Sequence, residues 1–80
     1  MNNTKWLNIG DSHIYMVKDD TIGRIPEWRP VGLVTLRQIY ETTAPMWFAW
    51  DLQPHNHYFF LGKFLILEGA QSVVESLEVI

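Results

Sequence analysis

The chain of 80 residues contains no cysteine. This absence excludes a disulfide framework, a thiolate metal site and a cysteine nucleophile. It does not identify the cellular compartment, so the compartment is inferred from the N-terminus. The first residues, MNNTKW, have neither the charged region nor the apolar region of a signal peptide. We therefore expect a cytoplasmic protein.

Basic residues are few, and they form no run. Six Lys and Arg stand against nine Asp and Glu, which gives a formal net charge of −3. A nucleic-acid backbone is recognised through clustered cations, so we expect no nucleic-acid partner. The scattered cations are Lys5, Lys18, Arg24, Arg29, Arg37 and Lys63.

Long hydrophobic runs are also missing. The most apolar stretch, Tyr58 to Leu67, falls well short of the roughly 20 residues that a membrane-spanning helix needs. Lys63 lies in the middle of this stretch and disfavours insertion further. We therefore expect no membrane association.

The sequence has no recognisable catalytic arrangement. It contains no glycine-rich phosphate loop and no Gly-x-Ser-x-Gly elbow around a serine nucleophile. Its carboxylates have no spacing that singles out an acid–base pair. We predict a protein that is not an enzyme and that needs no cofactor.

Aromatic residues, by contrast, are abundant, and most of them lie between Pro45 and Gly69. This stretch contains seven of the eleven aromatic side chains, in two apolar runs around the polar break Asp51 to His57. The second run, Tyr58 to Leu67, predicts a strand with two apolar faces. The first run has one mixed face, which predicts a less central position in a sheet.

Alternation along the second run puts Phe60 and Phe64 on the same face, and we expect both to be buried. Gly62 removes a side chain in mid-strand and predicts a bulge or a close approach by another group. One apolar face must meet the core of the domain, and the other must meet a helix, a second sheet or another molecule. A symmetric homodimer would cover such a face.

Shorter patterns predict the remaining elements. Two alternating runs, Lys5 to Ile9 and His13 to Lys18, flank the turn signal Gly10-Asp11 and predict a β-hairpin. The segment 69–71 predicts a turn. The tail, residues 72–80, repeats the capping-box pattern but also alternates, so it is either a last helical turn or an edge strand.

The segment after Leu33 has two interpretations. A capping box at Thr35 to Gln38, followed by apolar residues on one helical face, predicts a short helix over residues 35–43. A strand from Leu33 to Glu41 is the alternative, because Val34, Leu36 and Tyr40 also share an alternating face.

Together these patterns predict one small α+β domain over residues 1–80. Its core would be an antiparallel sheet of four or five strands with one short helix packed on a face. The alternative is a mostly-β half-barrel or sandwich.

Three residues of the polar break could bind a metal ion. His55 and His57 are two apart, so on extended chain both point the same way, and Asp51 lies near them. His13 would complete a set if the fold brought it close. The simpler interpretation is a polar hairpin loop, and we expect no bound metal.

The same residues carry a family resemblance. His55-x-His57, followed by Tyr58 to Leu61, then Gly62 and, after six further residues, Gly69, resembles the first sequence motif of the cupins. That resemblance implies a β-barrel that binds a metal or small ligand through His55 and His57. The sequence departs from the motif at Gly62, where cupins have a ligating Glu, and at Ala49, where they have Gly.

A tryptophan between two prolines is the strongest candidate for partner binding. Pro26 and Pro30 bracket Trp28 and disfavour a central strand, so we expect Trp28 on a loop, as an exposed anchor or as a lid. Charged neighbours, Glu27 and Arg29, would give it the polar rim that is typical of a binding hot spot.

These features favour a small non-enzymatic binding protein that acts through protein–protein contact, as an adaptor or an inhibitor. Inhibitors encoded by viruses or mobile elements are often chains of this size. The acidic tail would attract a basic protein partner. The predicted partner-binding residues are Glu27, Trp28, Arg29, Trp47, Glu75 and Glu78.

Overall fold

The computed structural model describes residues 3–19, 27–41, 44–54 and 57–79. In these ranges the chain forms five strands and one helix. They are β1 (Thr4–Ile9), β2 (Ser12–Asp19), β3 (Glu27–Arg37), β4 (Met46–Asp51), β5 (Phe59–Phe64) and α1 (Leu67–Glu75).

The strands form one open sheet in chain order, β1-β2-β3-β4-β5, and each pairs antiparallel with the next. The helix packs on one face of this sheet, with contacts to β3, β4 and β5. The predicted α+β class, with a small antiparallel sheet and one short helix, is therefore confirmed. In the part of the chain that the structure describes, the strands form a single open sheet, so neither the alternative sandwich nor the closed barrel implied by the cupin resemblance is formed.

The predicted N-terminal hairpin is present. Ile9 pairs with Ser12, so Gly10 and Asp11 form a two-residue connection. Gly10 has a φ of 57°, a left-handed conformation that glycine adopts without the penalty of a Cβ atom. The backbone carbonyl of Asp11 accepts a hydrogen bond from the N–H of Leu36 at 3.0 Å, which ties this turn to β3.

Strand β3 overturns two predictions. It runs through Trp28 and Pro30 to Arg37 between β2 and β4, so Trp28 lies in an inner strand rather than on a loop. Pro30 is tolerated there because the register shifts beside it, leaving Val31 as the extra residue of a bulge. The predicted helix over residues 35–43 is wrong, since residues 35–37 pair with strands on one or both sides and only turns and bends follow among residues 38–41.

A second bulge lies in β5. Ala49 pairs with Gly62 but Trp50 pairs with Phe60, so Leu61 is the extra residue. The predicted irregularity at Gly62 is confirmed, and its φ is 148°. The bulge reverses the alternation, so Phe60 and Phe64 project from opposite faces. The prediction that both are buried is wrong for Phe60, which is 42% exposed.

The relative position of the two aromatic strands also differs from expectation. β5 is the outer strand of the sheet, whereas β4 has a neighbour on each side. The mixed face of β4 predicted a less central strand, yet this face lies under the helix, where Ala49 is fully buried. A small side chain there leaves room for α1.

Helix α1 replaces the predicted turn at residues 69–71 and begins before the capping box of the tail. Ile66 occupies the N-cap position without a side-chain hydrogen bond. A helix of nine residues is marginal alone, so packing must hold it, and Ala70 and Val74 are fully buried against the sheet. Within the described ranges, no helix has the length and apolar character needed to cross a membrane.

The core lies between α1 and the sheet. Val31, Val34 and Ala49 are completely buried with the two helix residues, and Tyr15 is nearly so. The helix comes close because Gly32 lies beneath it: a Cβ atom at this position would lie 2.3 Å from Cγ1 of Val74. We call this side of the sheet the helix face.

Candidate functional site

The opposite side of the sheet, here called the open face, carries a continuous apolar row. Paired residues of antiparallel strands project from the same face. No described segment of the chain packs over this row, because α1 lies on the helix face. The strand register places one residue of the row on each strand: Leu7, Ile14, Leu33, Trp50 and Phe60.

Aromatic rings form the β4–β5 end of the open face. The ring of Phe60 lies 4.9 Å from that of Trp50 and 5.7 Å from that of Phe48, centroid to centroid. Phe60 is 42% exposed, and Leu7 at the other end of the row is 44% exposed. Contiguous apolar surface of this kind is typical of a site that contacts another molecule.

Cations frame the apolar row. Lys5 and Lys18 project from the open face at the β1–β2 side, and Arg37 and Lys63 project from it at the diagonally opposite corner, as their register partners show. The described strand positions of the open face carry no Asp or Glu. The described acidic residues of the strands and of α1 belong to the other side of the molecule: Glu27, Asp51, Glu68 and Glu75.

A groove of about 120 Å³ opens at the Arg37 and Lys63 corner. Apolar groups form most of its walls, and the two cations are its charged lining residues. The segment after β3 forms one side and the ends of β4 and β5 form the other. The lining residues are Arg37, Ile39, Tyr40, Ala44, Met46, Phe48 and Lys63.

Trp28 lies at the opposite corner of the open face. It pairs with Lys18, and the ammonium of Lys5 lies 4.2 Å from the centroid of its ring. A cation over an aromatic face is attracted by the ring quadrupole, so Lys5 holds the indole in place and partly covers it. The ring is neither a free loop anchor nor a lid over the helix.

The other predicted partner-binding residues do not join Trp28 on this surface. Trp47 projects from the helix face, where it packs against the core and its ring meets that of His13 edge-on at 5.4 Å. Glu75, at the end of α1, accepts a hydrogen bond from Nε1 of Trp6 at 3.0 Å. Both residues thus have structural contacts on the helix side.

Glu27, Arg29 and Glu78 also lie away from the open face. Glu27 and Arg29 alternate with Trp28 and therefore project from the other side of β3. Nε of Arg29 is buried and has no hydrogen-bond partner among the described residues. The backbone carbonyl of Glu78 accepts a hydrogen bond from Nε2 of Gln53 at 2.9 Å, which anchors the segment after α1 to the end of β4.

The candidate metal ligands are only partly described. His55 lies outside the described residues, and His57 is exposed. The carboxylate of Asp51 accepts hydrogen bonds from the backbone N–H of Gln53 at 2.9 Å and from its side-chain amide at 3.3 Å. Nδ1 of His13 lies 2.6 Å from Oδ1 of Asn8. The described residues contain no group of three His, Cys, Asp or Glu side chains that could hold a metal ion.

We expect the melting temperature of the purified protein to be unchanged by EDTA. A metal bound only to the native state would stabilise it, and its removal would lower the transition. The measurement is a thermal melt followed by circular dichroism, with and without chelator, on the wild type and on a His55→Ala, His57→Ala variant. Stoichiometric zinc, nickel or iron in the wild type, absent from the variant, would contradict this expectation.

Sequence reasoning missed the open face as a unit. The alternation of β1, β2 and β4 places Leu7, Ile14 and Trp50 on definite faces of their own strands. It does not say which strands are neighbours or which face the helix covers. The available signal was that β5 has two apolar faces, which predicted that one of them would lie outside the core.

Comparisons with protein-family models, with curated proteins and with solved structures find no match to this chain.

Proposed function

We propose that this chain is a small non-enzymatic binding protein, an adaptor or an inhibitor, that acts through protein–protein contact. The open face is its contact surface. The observation that carries the proposal is the apolar row across all five strands, over which no described segment packs. Removal of such an apolar row from water favours association, and the surplus over the translational, rotational and side-chain freedom that is lost becomes binding free energy.

The side chains of the open face suit binding better than chemistry. Its centre consists of aliphatic and aromatic groups, and its corners carry amino and guanidinium groups. Aromatic anchors with a charged rim are the usual composition of a binding hot spot. Trp50 and Phe60 provide a ring pair at the centre of the β4–β5 end, and Trp28 provides a third ring at the far corner.

A variant of the row tests this proposal. Leu7→Ser combined with Phe60→Ser removes the two exposed ends of the row, on outer strands where packing against the core is least. We expect this variant to fold and to lose the protein partner that the wild type captures from its native host. The measurement is affinity capture with quantitative mass spectrometry, after circular dichroism has shown that the variant is folded.

The chain offers a matched control. Leu65 and Ile66 are 72% and 66% exposed and lie between β5 and α1, after the last paired residue of the sheet. Leu65→Ser with Ile66→Ser removes as many exposed apolar side chains but leaves the open face intact. The control should retain the partner. Two results would refute the open face as the contact surface. One is that the Leu7 and Phe60 variant still captures the partner, and the other is that only the control loses it.

A further inference from the structure

We infer that the element received by the open face is an acidic amphipathic α-helix of the partner. Its apolar stripe would lie on the row, and its carboxylates would meet the cations at the corners. This inference rests on the proposed function and specifies the chemistry of its partner.

The spacing of the row fits a helix. Neighbouring strands lie about 4.8 Å apart, close to the roughly 5.4 Å rise of one helical turn. One apolar residue per turn can therefore lie over each strand. The five strands extend roughly 19 Å between the axes of β1 and β5, which about 13 helical residues span. On the other face, the nine-residue helix α1 already contacts three strands, β3, β4 and β5.

The charge of the open face selects the sign of the partner. Four cations project from it and its described strand positions carry no carboxylate, so a partner with acidic flanks gains attraction at both corners. Such complementarity raises the association rate and excludes partners of the wrong sign. The basic partner expected from the acidic tail would have to bind elsewhere, because the described acidic residues of α1 lie on the helix side.

The groove supplies the most specific contact. Its volume of about 120 Å³ is slightly smaller than the roughly 150 Å³ cavity that holds benzene, so it accommodates one side chain of moderate size. Arg37 and Lys63 line it together with apolar walls. A glutamate fits this lining, with its methylenes against Met46 and Phe48 and its carboxylate between the two cations.

Other occupants of the open face match it less well. Two copies placed face to face would bring four cations against four, with no carboxylate at the described strand positions of this face to offset them. A single-stranded nucleic acid stacks its bases on aromatic platforms, but three of the five residues of the row, Leu7, Ile14 and Leu33, are aliphatic. A flat lipid surface would contact the exposed edges but could not enter the groove.

Binding of defined peptides tests the inference. The probe is a 14-residue helical peptide with a leucine stripe and glutamate flanks. Its controls are the same stripe with lysine flanks and a scrambled acidic peptide of identical composition. We expect the acidic amphipathic peptide to bind at least tenfold more tightly than either control by fluorescence anisotropy, and its affinity to fall as salt is raised. Equal binding of the three peptides refutes the inference.

Charge reversal assigns the contact to the groove. Arg37→Glu with Lys63→Glu should weaken binding of the acidic peptide at least tenfold and should improve binding of the lysine-flanked peptide. Glu68→Lys, on the exposed side of α1, is the matched control and should change neither affinity by more than a salt-dependent factor of about two. If the variant with both charges reversed does not fold, the Arg37→Gln, Lys63→Gln variant must still bind the acidic peptide more weakly than the wild type does.

The remaining occupants are outcomes of the same experiment. Preferential binding of oligo(dT), or of vesicles containing phosphatidylserine, over the acidic peptide overturns the inference. The inference is also overturned if sedimentation shows a dimer of the wild type and a monomer of the Leu7→Ser, Phe60→Ser variant.

Failure of the inference is distinguishable from failure of the proposed function. Suppose that the Leu7 and Phe60 variant loses the host partner but that charge reversal at Arg37 and Lys63 does not affect capture. The open face is then still the contact surface, and the acidic helix as its ligand is refuted.

Discussion

Replacing Gly32 with alanine should destabilise this protein, because the added methyl group has no room beneath the helix. The added Cβ atom would lie 2.3 Å from Cγ1 of Val74, and Val74 is a branched, fully buried side chain with little freedom to move away. Overpacking of this kind costs about 1–3 kcal/mol. In a domain of this size we expect the melting temperature to fall by roughly 5–20 °C.

Two companion variants establish the mechanism of that loss. Val74→Ala removes the group that the new methyl would meet, so the cost of Gly32→Ala in this background should shrink by about 1 kcal/mol or more. Gly69→Ala makes the same chemical change inside α1, where the nearest atom to a Cβ is Cδ2 of Phe64 at 3.4 Å. That change should be neutral or stabilising by up to about 1 kcal/mol, because alanine favours the helix. Strict additivity of Gly32→Ala and Val74→Ala would rule out the proposed contact.

Gly32 also explains why the helix was hard to predict. The local signals for α1 are weak, since Ile66 offers no side-chain cap and Gly69 is typical of a turn. The helix forms because its apolar face packs on a sheet whose residues beneath it, Gly32 and Ala49, are small. Information of that kind is tertiary, and neither propensity nor periodicity within residues 67–75 contains it.

The opposite error occurred at the start of the segment 35–43. A capping box is a local signal for a helix. Pairing with strands on both sides can outweigh such a signal. Thr35 pairs with both Ser12 and Phe48, so its backbone hydrogen bonds go to the sheet. The N-terminal hairpin was predictable because Gly10-Asp11 sets both the turn and the register locally.

The open face shows the same division between local and tertiary information. Each strand's own alternation is visible in the sequence, but the cations Lys5, Lys18, Arg37 and Lys63 are far apart along the chain. They share a face because consecutive strands are neighbours in the sheet and because the pairing register places these four residues on the same side of it. Scattered charge in a sequence therefore does not predict scattered charge on a sheet.

The bulge at Leu61 provides the second large test. Simple alternation makes Phe60 and Phe64 equivalent, whereas the structure places Phe64 against the core and Phe60 on the open face. Phe64→Ala should therefore cost about 3 kcal/mol of unfolding free energy, since it opens a space beside α1. Phe60→Ala should cost only about 1 kcal/mol, mostly from lost contact with the rings of Trp50 and Phe48.

Urea denaturation of the two variants, followed by circular dichroism, measures both costs. Binding separates them in the reverse order. At concentrations and temperatures where both variants are folded, Phe60→Ala should weaken binding of the acidic amphipathic peptide several-fold, because the ring of Phe60 forms one end of the row. Phe64→Ala should bind it like the wild type, because its ring lies behind the sheet. Equal losses of stability, or a loss of binding confined to Phe64→Ala, would show that β5 alternates without interruption and that the open face is a different surface.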